Sequence, residues 1–301
     1  MRGISPRALG LTLGLLASLL WGTVFAAGRY LVDVRGIDPM FVAALRFNLG
    51  WIAAISYLML SGRSRDLKRA AAEWPRIAGL GALGIFCMGS GVFLAVQFTS
   101  SINAGIIVNA NPVFIALFAP LIGERVPLLR TAGLLVGLAG CVLVSLGDLA
   151  GTPGGSNDLL GCAFATLSAC SWAAYTVVGK GISQRLGGLE TGALALFFGG
   201  LLYLPVVALK GAWQPLNGSE LAVAVFLGVG PSAFSMLIWY KALEYVDANV
   251  LGPTQYFATL VGTFLGWSLL GEKIGLAFML GGAAIILGLW LATRPARSEV
   301  T

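Results

Sequence analysis

The chain has 301 residues, of which 57% are hydrophobic and only 11% are charged, and its formal net charge is +6. Because a soluble domain has roughly a quarter of its residues charged, this composition predicts an integral membrane protein. Histidine is absent, which excludes histidine-based catalytic triads and zinc-peptidase motifs. The cations lie between apolar runs and form no basic face, so nucleic acid is not an expected partner. We also expect no catalytic residue, no metal site and no cofactor.

The apolar runs set the number of predicted helices. A helix that crosses a bilayer needs about 20 apolar residues. Runs of about that length lie at 8–29, 39–61, 76–99, 103–122, 128–147, 158–180, 190–210, 219–242, 248–270 and 274–293. The sequence therefore predicts an all-α integral membrane protein with ten transmembrane helices.

Several motifs occur twice at nearly the same spacing. Gly123-Glu124-Arg125 has a counterpart in Gly271-Glu272-Lys273, 148 positions later (272 − 124). An aromatic–glycine–cation pattern that begins at Trp21 returns at Trp172, 151 positions later (172 − 21). Such self-similarity indicates duplication. We predict two five-helix repeats, 1–147 and 158–301, joined by a linker at 148–157, with a short cytoplasmic tail at the C-terminus.

The distribution of lysine and arginine predicts the orientation. With the N-terminus in the cytoplasm, fourteen of these cations fall on the cytoplasmic side and four outside. Both termini are therefore expected in the cytoplasm, and the basic stretch 63–76 is expected to be a solvated loop near anionic lipid. Five helices per repeat make the second copy upside down. Inverted repeats are typical of secondary carriers, whose substrate site lies near the bilayer midplane between the repeats.

Polar and aromatic side chains inside the apolar runs are the candidates for that site. Arg46 has the highest cost, about 2.5–3.5 kcal/mol for a charge at the helix centre. It either snorkels to the interface or serves the substrate or a gate. The aromatic residues either pack the core or face a pathway. We predict that ten residues face one central cavity and bind substrate: Trp21, Arg46, Gln97, Asn109, Asn111, Trp172, Tyr175, Ser235, Trp239 and Tyr256.

Two prolines predict breaks in the fourth and ninth helices. Pro112 removes a backbone donor and frees the carbonyl of Val108, while Gly252 and Pro253 interrupt the other helix. Each break is either a static kink or a hinge for alternating access. Since Leu260 occupies the position that corresponds to Pro112, we expect the fourth helix to bend more than the ninth.

These motifs resemble a known family. Trp21-Gly22 in the first helix, Leu45-Arg46-Phe47 in the second, and Pro112 followed by Gly123-Glu124-Arg125 are similar to the EamA-type drug/metabolite transporter superfamily. Within it, the chain is similar to the YddG-type exporters of aromatic and other amino acids. The resemblance implies a basket of ten helices around a central cavity.

The expected function follows from the repeats and this resemblance. We expect a monomeric carrier in the inner (plasma) membrane, in contact with lipid, that exports small metabolites, amino acids including aromatic ones, by alternating access. Arg46 is then expected to meet a carboxylate, and the tryptophans a ring. The alternatives are a drug or nucleoside exporter of the same fold and an integral membrane enzyme. An enzyme needs a nucleophile with a base or a carboxylate pair at one depth, and the sequence offers neither.

Overall fold

The computed structural model describes residues 5–99, 101–147, 158–270 and 276–294, and within them every regular element is helical. This confirms the predicted all-helical class. Seven helices in this part of the chain are long and apolar enough to cross a membrane. They are Pro6–Val34, Pro39–Leu60, Trp74–Ala95, Ala104–Ile122, Leu159–Leu186, Gly188–Lys210 and Gly218–Leu243. The predicted fifth and tenth helices coincide with shorter apolar helices, Leu128–Val144 and Phe278–Thr293, so a total of ten spans remains a prediction.

Within the described residues, the first half of the chain contains eight α-helices and several π-helical or 3₁₀ segments. Its elements are α1 (Pro6–Arg29), continued by a π-helical segment (Tyr30–Val34); α2 (Pro39–Leu60); α3 (Ser64–Ala71); α4 (Trp74–Gly81), a π-helical segment (Ala82–Cys87) and α5 (Met88–Phe98); α6 (Ser101–Val108), α7 (Asn111–Phe118) and a 3₁₀ turn (Ala119–Ile122); and α8 (Leu128–Gly147).

The second half has a similar succession of elements. They are α9 (Asp158–Leu186); α10 (Gly188–Leu201) and α11 (Tyr203–Lys210); α12 (Gly218–Leu227), a π-helical segment (Gly228–Phe234) and α13 (Ser235–Leu243); α14 (Ala248–Leu251), a 3₁₀ turn (Gly252–Gln255) and α15 (Tyr256–Leu270); and α16 (Leu276–Thr293). The π-helical segments Ala82–Cys87 and Gly228–Phe234 begin 146 positions apart (228 − 82), close to the spacing of the sequence motifs.

The predicted helix breaks are present where the prolines lie. A two-residue turn at Asn109 and Ala110 separates α6 from α7, and Pro112 lies in the first turn of α7. Gly252 and Pro253 begin the 3₁₀ turn between α14 and α15. A proline costs a helix one backbone hydrogen bond, and it is tolerated best in the first turn, where the donor would be unpaired anyway.

Helices α8 and α16 pack backbone to backbone through glycine. A Cβ added at Gly133 would lie 2.7 Å from the carbonyl oxygen of Gly288, and one added at Gly140 would lie 2.6 Å from that of Gly281. No side chain fits at such distances, so these positions require glycine. As α8 advances from 133 to 140, its contact in α16 moves back from 288 to 281. The two helices are therefore antiparallel.

One local prediction was wrong. The basic stretch at 63–76, expected to be a solvated loop, contains helix α3, Ser64–Ala71. Arginine, lysine and alanine are strong helix formers, and this propensity outweighs the lack of apolar length. The predicted linker at 148–157 and the motif Gly271-Glu272-Lys273 lie outside the described residues.

Candidate functional site

Three tryptophans from three helices meet in the interior. The rings of Trp21 in α1, Trp172 in α9 and Trp239 in α13 have centroids 5.2, 5.0 and 6.1 Å apart, pair by pair. Trp172 and Trp239 are 3% and 0% exposed. We call these three residues the tryptophan cluster. It joins one helix of the first half to two of the second.

All three indole N–H groups of the tryptophan cluster are buried and have no hydrogen-bond partner among the described residues. The hydroxyl of Thr176, one turn after Trp172 on α9, is likewise buried without a partner among the described residues. An unpaired buried donor costs roughly 1–3 kcal/mol, and most buried polar atoms in folded proteins are paired. Four such groups so close together indicate a place where a ligand or water supplies acceptors.

Among the described residues, the broken helices contribute two more polar atoms without a hydrogen-bond partner. The side-chain oxygen of Asn111, in the first turn of α7, is buried without a partner. The side-chain nitrogen of Gln255, at the end of the 3₁₀ turn after α14, is buried without a partner as well. Asn109 is paired, since its side-chain oxygen accepts a hydrogen bond from the hydroxyl of Thr259 at 3.5 Å.

Arg46 lies in α2 and faces the π-helical segment that follows α12. Its Nε donates to the hydroxyl of Ser232 at 2.9 Å, and its guanidinium lies 4.8 Å from the centre of the Phe47 ring. Ser232 in turn donates to the carbonyl of Leu227. Within the part of the chain that the structure describes, Arg46 forms no ion pair with a carboxylate. Its charge is thus held by a hydroxyl and a ring, and it is available to an anionic group.

A tyrosine layer closes one side of the tryptophan cluster. Tyr175 packs against Trp172 with ring centroids 5.2 Å apart and against Tyr240 at 5.0 Å. The hydroxyl of Tyr240 donates to the backbone carbonyl of Tyr175 at 3.1 Å. Both tyrosines are fully buried. These contacts pack the interior on this side of the tryptophan cluster.

Beyond the tyrosine layer, a buried ionic network joins the two halves of the chain. Lys180, five residues past Tyr175 on α9, lies 2.6 Å from a carboxylate oxygen of Glu124 and 2.6 Å from one of Asp247. Glu124 also accepts the backbone N–H groups of Ala248 at 2.8 Å and Asn249 at 3.1 Å, which caps the start of α14. We call Glu124, Arg130, Lys180, Asp247 and Asn249 the Lys180 network.

Arg130 completes the Lys180 network. It donates to the side-chain oxygen of Asn249 and, at 3.1 Å, to the carbonyl of Ala292 near the end of α16. A polar cavity of about 250 Å³ lies beside the network, with Lys180, Asp247 and Glu244 in its wall. No cluster of three residues able to hold a metal ion occurs in the described ranges. This network contains two cations, the ammonium of Lys180 and the guanidinium of Arg130, and the two carboxylates of Glu124 and Asp247.

The structure brings some of the predicted site residues together and separates others. Trp21, Trp172, Trp239 and Tyr175 are in contact. Ser235 is buried, but its hydroxyl donates to the carbonyl of Pro231 on its own helix. Tyr256 donates to the carbonyl of Leu134 at 3.0 Å and packs in a separate apolar cluster with α8 and α16. Gln97 is exposed near the end of α5.

Sequence reasoning missed the Lys180 network and Thr176. Glu124 served only as a marker of the repeat, and Lys180 only as one cation in the orientation count. A signal was present, because the Gly-Glu-cation motif places a carboxylate at the end of an apolar run, where a buried charge needs a partner.

Comparison with known proteins places the chain in a family. The profile described as the EamA-like transporter family matches residues 8–146 and again residues 159–294. An uncharacterized transporter of Archaeoglobus fulgidus is 27% identical over 92% of this chain and 95% of its own length. The aromatic amino acid exporter YddG of Ancylobacter novellus is 28% identical over 91% of this chain and 95% of its own length.

A solved crystal structure agrees with the sequence comparisons. It superposes with a TM-score of 0.82 at 26% identity and covers 94% of this chain and 96% of its own. Since the family profile matches most of the sequence and the relatives match along almost their whole length, the chain belongs to the EamA-like transporter family, within the drug/metabolite transporter superfamily.

Proposed function

We propose that this transporter exports small, partly apolar metabolites, amino acids including aromatic ones, by alternating access. The observation that carries the proposal is the tryptophan cluster with its three buried, unpartnered indole N–H groups. Aromatic faces bind apolar and aromatic side chains, and N–H donors bind carboxylate oxygens. An amino acid with a large side chain offers both. The relative from Ancylobacter novellus, named as an aromatic amino acid exporter, is consistent with this class of substrate.

Arg46 fits a role in attracting the carboxylate of the substrate. Its Nε donates to the hydroxyl of Ser232 at 2.9 Å, and its guanidinium lies 4.8 Å from the centre of the Phe47 ring. A cation held in this way attracts a carboxylate into the apolar interior. Electrostatic attraction of this kind raises the rate of arrival more than the final affinity. We assign Arg46 to the path by which substrate reaches or leaves the tryptophan cluster.

We further propose that the chain forms two inverted five-helix repeats, 1–147 and 158–301, which make ten spans. The contact between α8 and α16 supports inversion, because these are the corresponding last helices of the two halves and they are antiparallel. If the two repeats had the same orientation in the membrane, their last helices would be parallel. The matching offset of the π-helical segments supports the duplication.

We propose that the structure is closed at the end that contains the Lys180 network. The tyrosine layer and the network lie in series beyond the tryptophan cluster. By the distribution of cations this end faces the cytoplasm, with both termini on the same side of the plasma membrane. We propose that the monomer, surrounded by lipid, alternates between this state and one in which the network is broken and substrate enters from the cytoplasm.

Direct transport into proteoliposomes tests the proposal. Purified protein is reconstituted, and uptake of radiolabelled amino acids and nucleosides is compared with that of protein-free liposomes. We expect phenylalanine and other large apolar amino acids to be exchanged, and nucleosides to be left untransported. Transport of nucleosides without amino acids would replace the proposed substrate class, and turnover of a substrate into a new compound would favour a membrane enzyme.

A further inference from the structure

Among the described residues, two amides with an unpaired side-chain atom lie where the broken helices cross. They are the side-chain oxygen of Asn111 and the side-chain nitrogen of Gln255. Both belong to segments that interrupt a helix, in opposite halves of the chain. Each primary amide can both accept and donate hydrogen bonds, and a buried amide atom without a partner costs free energy.

Two contacts locate these amides relative to each other. A Cβ added at Gly252 would lie 3.4 Å from the side chain of Ile115, and Asn109 meets Thr259 at 3.5 Å. Between the two contacts, one segment runs from 115 back to 109, through the start of α7 and the turn before it. The other runs from 252 forward to 259, through the 3₁₀ turn and the start of α15. The two segments are thus antiparallel where they cross.

Helical geometry then places Asn111 and Gln255 opposite each other. Asn111 is four residues from Ile115, so it shares the same face of α7 and lies about 6 Å along its axis. Gln255 is three residues from Gly252, so in a 3₁₀ turn it shares the same face and again lies about 6 Å along the axis. Both side chains are therefore at one depth and on the facing sides of the crossing.

The tryptophan cluster lies next to this crossing. Along α1, a Cβ added at Gly14 would lie 3.0 Å from the hydroxyl of Thr254, and one at Gly22 would lie 2.9 Å from the carbonyl of Ala258. Gln255 is therefore level with the part of α1 between these two glycines. Interpolation between the two contacts puts Gln255 level with about residue 16 of α1, so Trp21 follows it by about five residues, or about 7.5 Å. A ligand with its ring on the tryptophans can place its polar end between the amides.

We infer that Asn111 and Gln255 recognise the two charges of a zwitterionic α-amino acid, Asn111 accepting from the ammonium and Gln255 donating to one oxygen of the carboxylate, whose other oxygen accepts from an indole N–H of the tryptophan cluster. This inference rests on the proposed function, and it makes the substrate a complete amino acid rather than an amine or a carboxylic acid. Neutral amides suit a zwitterion, because its two charges balance each other and the site then needs no fixed charge of its own.

A set of three ligands tests the assignment. L-phenylalanine carries both charged groups, phenethylamine lacks the carboxylate and 3-phenylpropionate lacks the ammonium. Binding of tritiated L-phenylalanine to the purified protein is measured by scintillation proximity, with the other two as competitors. The parent protein should bind L-phenylalanine at least tenfold more tightly than either analogue, since a hydrogen bond to a charged group contributes about 1.5–3 kcal/mol.

Each amide should affect a different pair of ligands. Asn111→Leu should weaken L-phenylalanine and phenethylamine about tenfold or more and leave 3-phenylpropionate unchanged. Gln255→Leu should weaken L-phenylalanine and 3-phenylpropionate and leave phenethylamine unchanged. Gln184→Leu, at an exposed amide in α9, is the matched control and should change none of the three.

The possible outcomes separate this inference from the proposed function. Equal weakening of all three ligands by both leucine variants would mean a structural role and would overturn the inference alone. Failure of the parent protein to bind any of the three would overturn the inference and the proposed substrate class together. If the leucine variants do not fold, Asn111→Asp should retain the ammonium ligands and Gln255→Glu should lose the carboxylate ligands. The opposite pattern would refute the assignment.

Discussion

Glu124→Gln should open the end of the protein that the Lys180 network closes. The carboxylate of Glu124 is 5% exposed and pairs with Lys180 at 2.6 Å. Glutamine has the same shape, so the substitution removes the charge with little change in packing. Removing one partner of a buried ion pair costs about 3–5 kcal/mol.

The cost at this site should lie below that range, because Lys180 keeps a second carboxylate. The side chain of Asp247 remains 2.6 Å away and is 45% exposed, so water shares in its solvation. Glutamine also retains an oxygen that accepts one of the two backbone N–H groups of α14. We therefore expect a loss of about 2 kcal/mol, which shifts the equilibrium between the closed and open states about 30-fold towards opening.

Distances between spin labels measure this shift. After replacement of Cys87, Cys141, Cys162 and Cys170, labels are placed at the exposed positions Leu128 in α8 and Gln184 in α9, one on each side of the network. Glu124→Gln should add or enlarge a population with longer distances.

Glu73→Gln is the control for a surface carboxylate. Glu73 accepts from Arg76 at 2.7 Å, a hydrogen bond that holds the pKa of this carboxyl below its usual range, and it lies outside the Lys180 network. This variant should leave the distance distribution as it is in the parent protein. If Glu124→Gln also leaves the distribution unchanged, the Lys180 network does not hold this end closed.

Three further predictions concern the hinge, the topology and the packing. Pro112→Ala should straighten the break between α6 and α7 and slow exchange more than it weakens binding; unchanged spin-label distances and exchange rate would exclude a hinge there. Single cysteines at Ser64 and at Ser156, the latter outside the described residues, should react with impermeant reagent from opposite sides of the membrane, and reaction of both from outside would refute the inverted topology. Gly140→Leu should lower the thermal midpoint of the detergent-purified protein, because the Cβ position lies 2.6 Å from a backbone oxygen of α16, and an unchanged midpoint would argue against this packing.

The positions of the helices were predictable from the sequence, whereas the faces of the helices were not. Apolar length alone located the runs, and proline located the breaks at Pro112 and Pro253. A membrane helix is apolar towards lipid and towards its neighbours, so hydrophobic periodicity does not tell the two sides apart. For this reason the sequence does not show which way Gln97 and Tyr256 face; the structure shows Gln97 exposed and the hydroxyl of Tyr256 donating to the carbonyl of Leu134.

The aromatic part of the site was more accessible to sequence reasoning than its ionic part. Trp21 and Trp172 occupy corresponding places in the duplicated pattern, and the structure shows them in contact, with ring centroids 5.2 Å apart. The pairing of Lys180 with Glu124 joins positions 56 residues apart in sequence and depends on how the two halves pack. No local pattern records such a contact, and the repeat register alone does not either.

The central claim is that the unpartnered indole N–H groups of the tryptophan cluster bind substrate, and removing them one at a time tests it most directly. Phenylalanine keeps an aromatic ring and lacks the N–H, so Trp21→Phe, Trp172→Phe and Trp239→Phe are measured by exchange of labelled L-phenylalanine across proteoliposomes. We expect exchange by the parent protein, and an apparent affinity lowered about tenfold or more in at least one variant with the protein still folded. Equal affinity in the parent protein and all three variants would contradict it.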